Sequence, residues 1–224
     1  MNLRFGVIGT GMMGCEHLRN LVALPGAEVV ATADPEPESH QWAALTLGED
    51  HPARHHDTTA AILGRDDLDA LVIASPNVSH APVLAEVFAA RPDLPVLVEK
   101  PLCTTVEDCL AVEAAAANRP GLVWVGLEYR YMPPVARFLS EVGRGAAGPL
   151  HMVFVREHRF PFLVKVGNWN RFNRNTGGTL VEKCCHFFDL MNLIVGGRPV
   201  RVMASGRHDV NHLDEVYDGR RSDI

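Results

Sequence analysis

The sequence predicts an α/β protein: an N-terminal doubly wound parallel sheet, then an incomplete α+β unit with a mainly antiparallel sheet. Three observations carry that reading. Strand-length aliphatic runs alternate with Ala/Leu-rich stretches of helical spacing through the first half, and such alternation builds a parallel sheet flanked by helices. Near residue 125 the alternation stops and aromatic and basic residues gather. Charge divides at the same place: residues 1–124 hold 7 Lys/Arg against 17 Asp/Glu, whereas residues 125–224 hold 14 against 10. An asymmetry of this kind marks two units with different partners, residues 1–124 and 125–224.

The strands of the first unit are expected at Leu3–Ile8, Glu28–Ala33, Leu68–Ala74, Val96–Glu99 and Leu122–Leu127. Their nearly continuous apolar character, without polar alternation, fits strands covered on both faces. Helices are expected between them at Gly11–Leu24, Pro37–Leu47, Val78–Ala90 and Val106–Ala117, with Asn77 and Thr105 at N-cap positions. Pro25-Gly26 and Pro120-Gly121 punctuate the connections, and His55-His56-Asp57 falls in a polar one. In the second unit Leu150–Phe160 reads as one long strand, followed by a polar, aromatic loop through Thr176. A helix from about Gly178 to Val195 and a strand at Pro199–Gly206 come next. The polar tail from His208 to Ile224 shows no closing element, and no internal repeat is visible.

The 224 residues are 47% hydrophobic and 21% charged, which excludes disorder, collagen-like repeats and coiled coil as descriptions of the whole. No run approaches the ~18 apolar residues of a membrane helix. Met12-Met-Gly-Cys15 superficially resembles a lipoprotein cleavage site, but the apolar run before it is short and broken by glycine. A cytoplasmic setting without membrane partners is expected. Cys15, Cys103, Cys109, Cys184 and Cys185 are odd in number and lack a Cys-x-x-Cys pattern, which fits a reducing compartment. The basic stretch Arg156, Arg159, Lys165, Arg171 and Arg174 reads as a solvated face or subunit contact, and no nucleic-acid partner is expected.

Gly9-Thr10-Gly11-Met12-Met13-Gly14 is Gly-x-Gly-x-x-Gly, placed directly after the first strand and opening a helix. One glycine permits the tight turn, one lets the backbone approach a pyrophosphate, and one lets helix and strand pack closely. The helix N-terminus then offers N–H groups and partial positive charge to phosphate. The second strand ends in Asp34, twenty residues after Gly14, where a carboxylate accepts hydrogen bonds from ribose hydroxyls. Pro35, Glu36, Pro37 and Glu38 follow, with no cation to neutralise a 2′-phosphate. NAD is therefore expected in preference to NADP.

A dinucleotide fold leaves the reaction open. Tyr129, Tyr131 and Tyr217 are followed four residues on by Pro133, Val135 and Arg221, so no Tyr-x-x-x-Lys pair exists in sequence. Cys184, Cys185 and His186 would point about 100° apart on a helix and cannot converge on one ion, and no metal is expected. Three further stretches stand in order: Ser75-Pro76-Asn77-Val-Ser-His80, Glu99-Lys100-Pro101, and Gly177-Gly-Thr-Leu-Val-Glu182-Lys-Cys-Cys-His186-Phe-Phe-Asp189. With the glycine turn, they resemble the glucose–fructose oxidoreductase/inositol dehydrogenase/MocA family of oxidoreductases from Leu3 to about Gly206.

The resemblance implies that Ser75, Pro76, Asn77 and His80 line the cofactor cleft beside the Gly9–Gly14 turn. It places Glu99 on the nicotinamide ribose and Lys100 at the reacting hydroxyl, where an ammonium stabilises a developing alkoxide. His186 would be the general base, a task suited to an ordinary pKa of about 6.5. Asp189 would bind a substrate hydroxyl or orient His186. Glu182, His186 and Asp189, at i, i+4 and i+7, share one face of the expected helix. Glu182 departs from the Asp of inositol-dehydrogenase-like members, and Arg130 and Trp169 are further substrate contacts or structural residues.

Family members continue well beyond residue 224, so an incomplete sheet with an open face is expected, hence a fragment, a truncated gene product or a protein whose remaining sheet is supplied elsewhere. The resemblance also implies a homo-oligomer pairing through the open sheet. The activity implied is NAD-dependent hydride transfer on a polyol, cyclitol or sugar. The alternatives are a glycoside-cleaving enzyme using held NAD, and a chain that binds NAD without turnover.

Overall fold

The computed structural model describes residues 2–48, 50–158 and 160–224. Its centre is a six-stranded sheet, β1 Leu3–Ile8, β2 Ala27–Ala33, β3 Arg54–His56, β4 Ala70–Ile73, β5 Val96–Glu99 and β6 Val123–Gly126. The order is β3-β2-β1-β4-β5-β6, every neighbour parallel. Strand order thus reverses beside β1, and the crevice at the carboxyl ends of β1 and β4 is where an open α/β sheet binds ligands. The connecting helices are α1 Met12–Ala23, α2 Pro37–Leu47, α3 Thr59–Leu63, α4 His80–Ala90 and α5 Val106–Ala116.

Adjacent residues of the central strands feed opposite faces of the sheet. Ile8 and Ile73 pack with Ile62, Leu84, Val87, Val98 and Val112 under α3, α4 and α5. Val7 and Val72 pack with Leu18, Leu21, Val29 and Ala43 under α1 and α2. Aliphatic residues at every position of these strands therefore reflect two cores. The Thr105 hydroxyl caps α5 by accepting from the Asp108 amide at 3.1 Å. Asn77 does not cap α4: its side-chain amide instead donates to the Thr176 carbonyl of the second half at 3.3 Å.

Several expectations are corrected. Residues 54–63 form β3 and α3 rather than a plain polar connection, because three residues suffice to pair with Ala31–Ala33 at the sheet edge. β6, by contrast, falls within the expected Leu122–Leu127. An unexpected helix, α6 Pro133–Gly143, follows. Among the described residues of Leu150–Phe160 there is no strand, and none at Pro199–Gly206. Met152, Phe154, Val200, Val202 and Met203 are all exposed there, and an extended run without a neighbouring strand has no ladder to join. The helix expected over 178–195 is two, α8 Thr179–Glu182 and α9 Cys185–Val195, after a short α7 Asn173–Thr176. The polar tail forms a two-stranded antiparallel hairpin, β7 Val216–Tyr217 and β8 Arg220–Arg221.

The basic stretch is not one solvated face. Arg171 is buried against Glu215 at 2.8 Å, and Lys165 turns into the cleft described below. Arg174 lies over the Phe172 ring, and Arg159 is outside the described residues. No helix among the described residues is long and apolar enough to cross a membrane.

Candidate active site

β1 hands the chain to α1 through the glycine turn, and each glycine answers to a different constraint. Gly9 has φ +87°, and a Cβ there would sit 2.3 Å from the Ser75 backbone nitrogen. A Cβ on Gly14 would sit 2.0 Å from the Gly9 carbonyl oxygen, so strand and helix touch through this residue. Gly11 faces open space. No side chain caps α1 and its first turn holds no acidic residue, so the amides of Met12, Met13 and Gly14 have no intrahelical partner and present the positive end of the helix.

Asp34, one residue beyond β2, is fixed from two sides. Its Oδ2 accepts the Thr10 amide at 2.7 Å and its Oδ1 accepts the Glu36 amide at 2.9 Å. Each oxygen keeps lone-pair capacity for a further donor. Thr10 itself is buried, its hydroxyl donating to the Ser39 carbonyl. A cleft of about 560 Å³ runs from this corner along the strand ends. Gly9, Gly11, Met12, Met13, Asp34, Ser75, Pro76, Asn77, Glu99, Lys100 and Trp169 all line it.

Thr10, Gly14 and His80 lie behind that wall. The His80 ring is buried between the carbonyls of Pro101, at 2.8 Å, and Ser75, at 3.0 Å, and so ties the two cleft loops together. Glu99 ends β5 with its Oε1 2.7 Å from His17 Nε2. Burial alone would raise its pKa, but the His17 bond and the charges of His17 and Lys100 hold the carboxyl below its ordinary value. The Lys100 ammonium donates to the Glu182 carbonyl at 3.2 Å, and the Lys100–Pro101 peptide is cis.

The second half contributes buried polar groups. The Cys184 amide reaches back five residues to the Thr179 carbonyl, which widens the turn and breaks the helix between α8 and α9. Of the expected shared face, His186 and Asp189 remain together on α9, while Glu182 ends α8. Glu182 is buried, with one oxygen 3.5 Å from the Lys165 ammonium and the other without a hydrogen-bond partner. Lys165 in turn lies over the Trp169 ring at 4.5 Å. Asp189 is engaged through both oxygens by the Arg130 fork, Nε at 2.6 Å and Nη2 closer still. These two candidates therefore hold each other.

The His186 ring is buried, outside the cleft wall, and stacks on Tyr129 with centroids 4.1 Å apart and planes 7° from parallel. Its Nε2 is 3.4 Å from Glu128 Oε1, and its buried Nδ1 has no hydrogen-bond partner. Burial first, then the charges of Lys100 and Lys183, push its pKa down to about 4 against the opposing pull of Glu99 and Asp189. The ring is therefore neutral at neutral pH, well below the ordinary histidine value expected from the sequence.

Several site residues escaped the sequence reading. Glu128 and Tyr129 follow β6, so the rule that ligands gather beyond strand ends could have found them. Asp57 and Thr58 line the cleft after β3, which was too short to recognise. Lys183, tied to Glu157 and Tyr129, left no local signal. Among the described residues no group of His, Cys, Asp and Glu could hold a metal ion.

A reversing parallel sheet, a glycine turn at its crevice and an anchored carboxylate at the second strand define a Rossmann-type dinucleotide-binding protein. The chain matches the NAD-binding Rossmann fold of the Gfo/Idh/MocA oxidoreductase family over residues 3–127, and that family's C-terminal alpha/beta domain over residues 140–223. The chain belongs to this family. It is 36% identical to an inositol 2-dehydrogenase of Acidothermus cellulolyticus over 221 residues, 97% of this chain and 61% of that protein. It is 42% identical to inositol 2-dehydrogenase 3 of Saccharopolyspora erythraea over 151 residues, 66% of this chain and 43% of that one. GenD2 from gentamicin A biosynthesis, solved in complex with NAD, superposes with a TM-score of 0.73 at 26% identity, over 87% of this chain and 54% of that one. The chain thus spans about half the length of the relatives it matches.

Proposed function

We propose that the chain binds NAD and belongs to a dehydrogenase that transfers hydride between the nicotinamide and the hydroxyl-bearing carbon of a polyol, cyclitol or sugar. One observation carries the reading: a single cleft joins the glycine turn and Asp34 to Glu99 and Lys100. The residues present suit the dinucleotide. The space beside Gly11, which a side chain would fill, adjoins an uncapped helix N-terminus suited to a pyrophosphate. Asp34 suits a ribose diol. Asp34, Glu36 and Asp57 line that end without a lysine or arginine beside them, which favours NAD over NADP.

NAD, when bound, supplies the hydride acceptor. The Lys100 ammonium spends one N–H on the Glu182 carbonyl and has two left to stabilise negative charge on a substrate oxygen. His186, neutral at working pH, has a nitrogen lone pair to take the hydroxyl proton. Glu182, with an unpartnered buried oxygen, suits a substrate hydroxyl, and Trp169 offers a flat apolar ring to the cleft. Asp189 acts here by holding Arg130. Residues 1–124 form the cofactor unit and 125–224 the substrate unit, with β6 carrying the crossing. A homo-oligomer in the reducing cytoplasm is part of the proposal, in keeping with five free cysteines and many exposed apolar side chains in the second half.

The test is a panel of inositols and sugars with NAD, followed by the near-ultraviolet absorbance of the reduced nicotinamide. Turnover is expected, and Lys100→Ala and His186→Ala each lower kcat/KM by about 10²–10⁴-fold. Turnover equal to wild type in both variants overturns the roles. NAD binding by calorimetry without turnover on any substrate reduces the proposal to its dinucleotide site. None of the relatives described above is a glycoside-cleaving enzyme by name, and nothing in the cleft favours that chemistry.

A further inference from the structure

Among the described residues the mechanism leaves two buried cations unused, Arg171 and Lys183, and only Lys183 shares a partner ring with His186. Lys183 is 9% exposed, and a lysine is almost never buried without a partner and a reason. Its ammonium is 3.2 Å from Glu157 Oε1 and donates to the Tyr129 hydroxyl. It also lies 4.5 Å from the centre of the Tyr129 ring and 5.7 Å from that of Phe187. The Tyr129 hydroxyl donates to Glu157 at 3.5 Å, closing a three-membered cluster. The same Tyr129 ring stacks on His186, with centroids 4.1 Å apart. Lys183 thus sits next to the proton acceptor without touching the cleft.

We propose that Lys183 is a positioning residue for His186: pinned by Glu157 and the Tyr129 hydroxyl, its ammonium fixes the tyrosine ring against the imidazole and keeps positive charge beside it, so that the imidazole is held as an oriented proton acceptor. This rests on the dehydrogenase reading above, in which His186 takes the substrate proton. A methionine would fill the same space without the desolvation cost of a buried ion pair, so packing alone does not explain a lysine.

The charges facing the imidazole come from four elements. Glu128, on the turn after β6, is 3.4 Å from Nε2. Glu99 and Lys100 lie at the end of β5, Asp189 is on α9, and Lys183 is at the break between α8 and α9. Two of the three carboxylates are already engaged, Glu99 by His17 and Asp189 by Arg130. Glu128 is the remaining anion, and burial raises its own pKa. Burial first, then Lys100 and Lys183, depress the imidazole against the pull of Glu99 and Asp189. Without Lys183 the ring loses one of the two cations that disfavour its protonated form, so its lone pair stays available over a narrower range of acid pH.

The experiment is an NMR titration of the histidine side chains in the full chain, without NAD or substrate, repeated for Lys183→Met and Lys183→Arg. In the wild type, His186 is expected as one neutral tautomer that protonates well below the ordinary value of about 6.5. Lys183→Met raises that midpoint by about one pH unit and Lys183→Arg restores it. The acid limb of the kcat/KM profile moves by the same amount, a response that lost packing does not produce. A wild-type midpoint at the ordinary value overturns the proposal, even where Lys183→Met does not fold. So does an unmoved midpoint in a folded Lys183→Met. Because the titration uses the free protein, failure to find turnover counts against the dehydrogenase reading and leaves this measurement standing.

Discussion

The two halves of the molecule bury different things. In the first, the buried side chains are mostly aliphatic, from Val7 to Val112, arranged on both faces of the sheet. In the second, Asn170, Arg171, Thr176, Glu182, Lys183 and His186 are buried, while Met152, Phe154, Val202 and Met203 are exposed. The hydrophobic effect therefore determines the shape of the first half, whereas ion pairs and hydrogen bonds order the centre of the second. Interior positions of the first half answer to volume, those of the second to charge and geometry.

Substitutions should expose that contrast. The largest effect is expected at the turn: Gly9→Ala combines a left-handed φ with a Cβ 2.3 Å from backbone, and should cost about 3 kcal/mol or more in denaturant unfolding. Gly11→Ala meets nothing within 4 Å. Its stability should change by less than about 1 kcal/mol, while NAD affinity measured by calorimetry falls. Equal stability losses for the two glycines would remove the distinction between a steric turn and a ligand cradle.

Next comes the aliphatic core, where Leu84→Ala, at a fully buried position, should cost about 2–5 kcal/mol. Acid should then single out the second half. His186 has a folded pKa of about 4, below the unfolded value of about 6.5. The unfolded chain binds more protons between those values, so this residue's contribution is complete above pH 6.5 and is lost as pH falls towards 4. Unfolding curves across that range should flatten in His186→Asn; an unchanged slope would mean the ring titrates normally. Removing the α5 cap with Thr105→Ala should cost about 1 kcal/mol. Smallest of all, Val202→Ala on the exposed run should stay within about 0.5 kcal/mol; a larger loss in the same unfolding measurement would show that this run is packed in solution.

Legibility followed the same division. β1, β2, β4, β5 and β6 stood out because strands buried on both faces are aliphatic at consecutive positions. β3, three residues long and polar, carried no such mark. The described residues of Leu150–Phe160 have a strand's composition but pair with no neighbouring strand, and composition alone does not reveal whether a partner is there. At the site, the glycine turn, Asp34, Ser75–Asn77, Glu99 and Lys100 share one cleft because strand ends are fixed by the topology that the alternation already implied. Asp189 and Arg130 were both recognised as polar site residues, yet their mutual ion pair joins positions 59 residues apart.

By itself, the sequence determined the parallel sheet, its glycine-lined crevice and the acidic residue closing it, because each depends on neighbours within a few residues or on a repeating burial pattern. Tertiary structure alone decided the state of His186, the break before α9 and the placing of Lys183 beside Tyr129. Those depend on Coulomb and desolvation energies among groups brought together from distant positions, and such energies have no period along the chain.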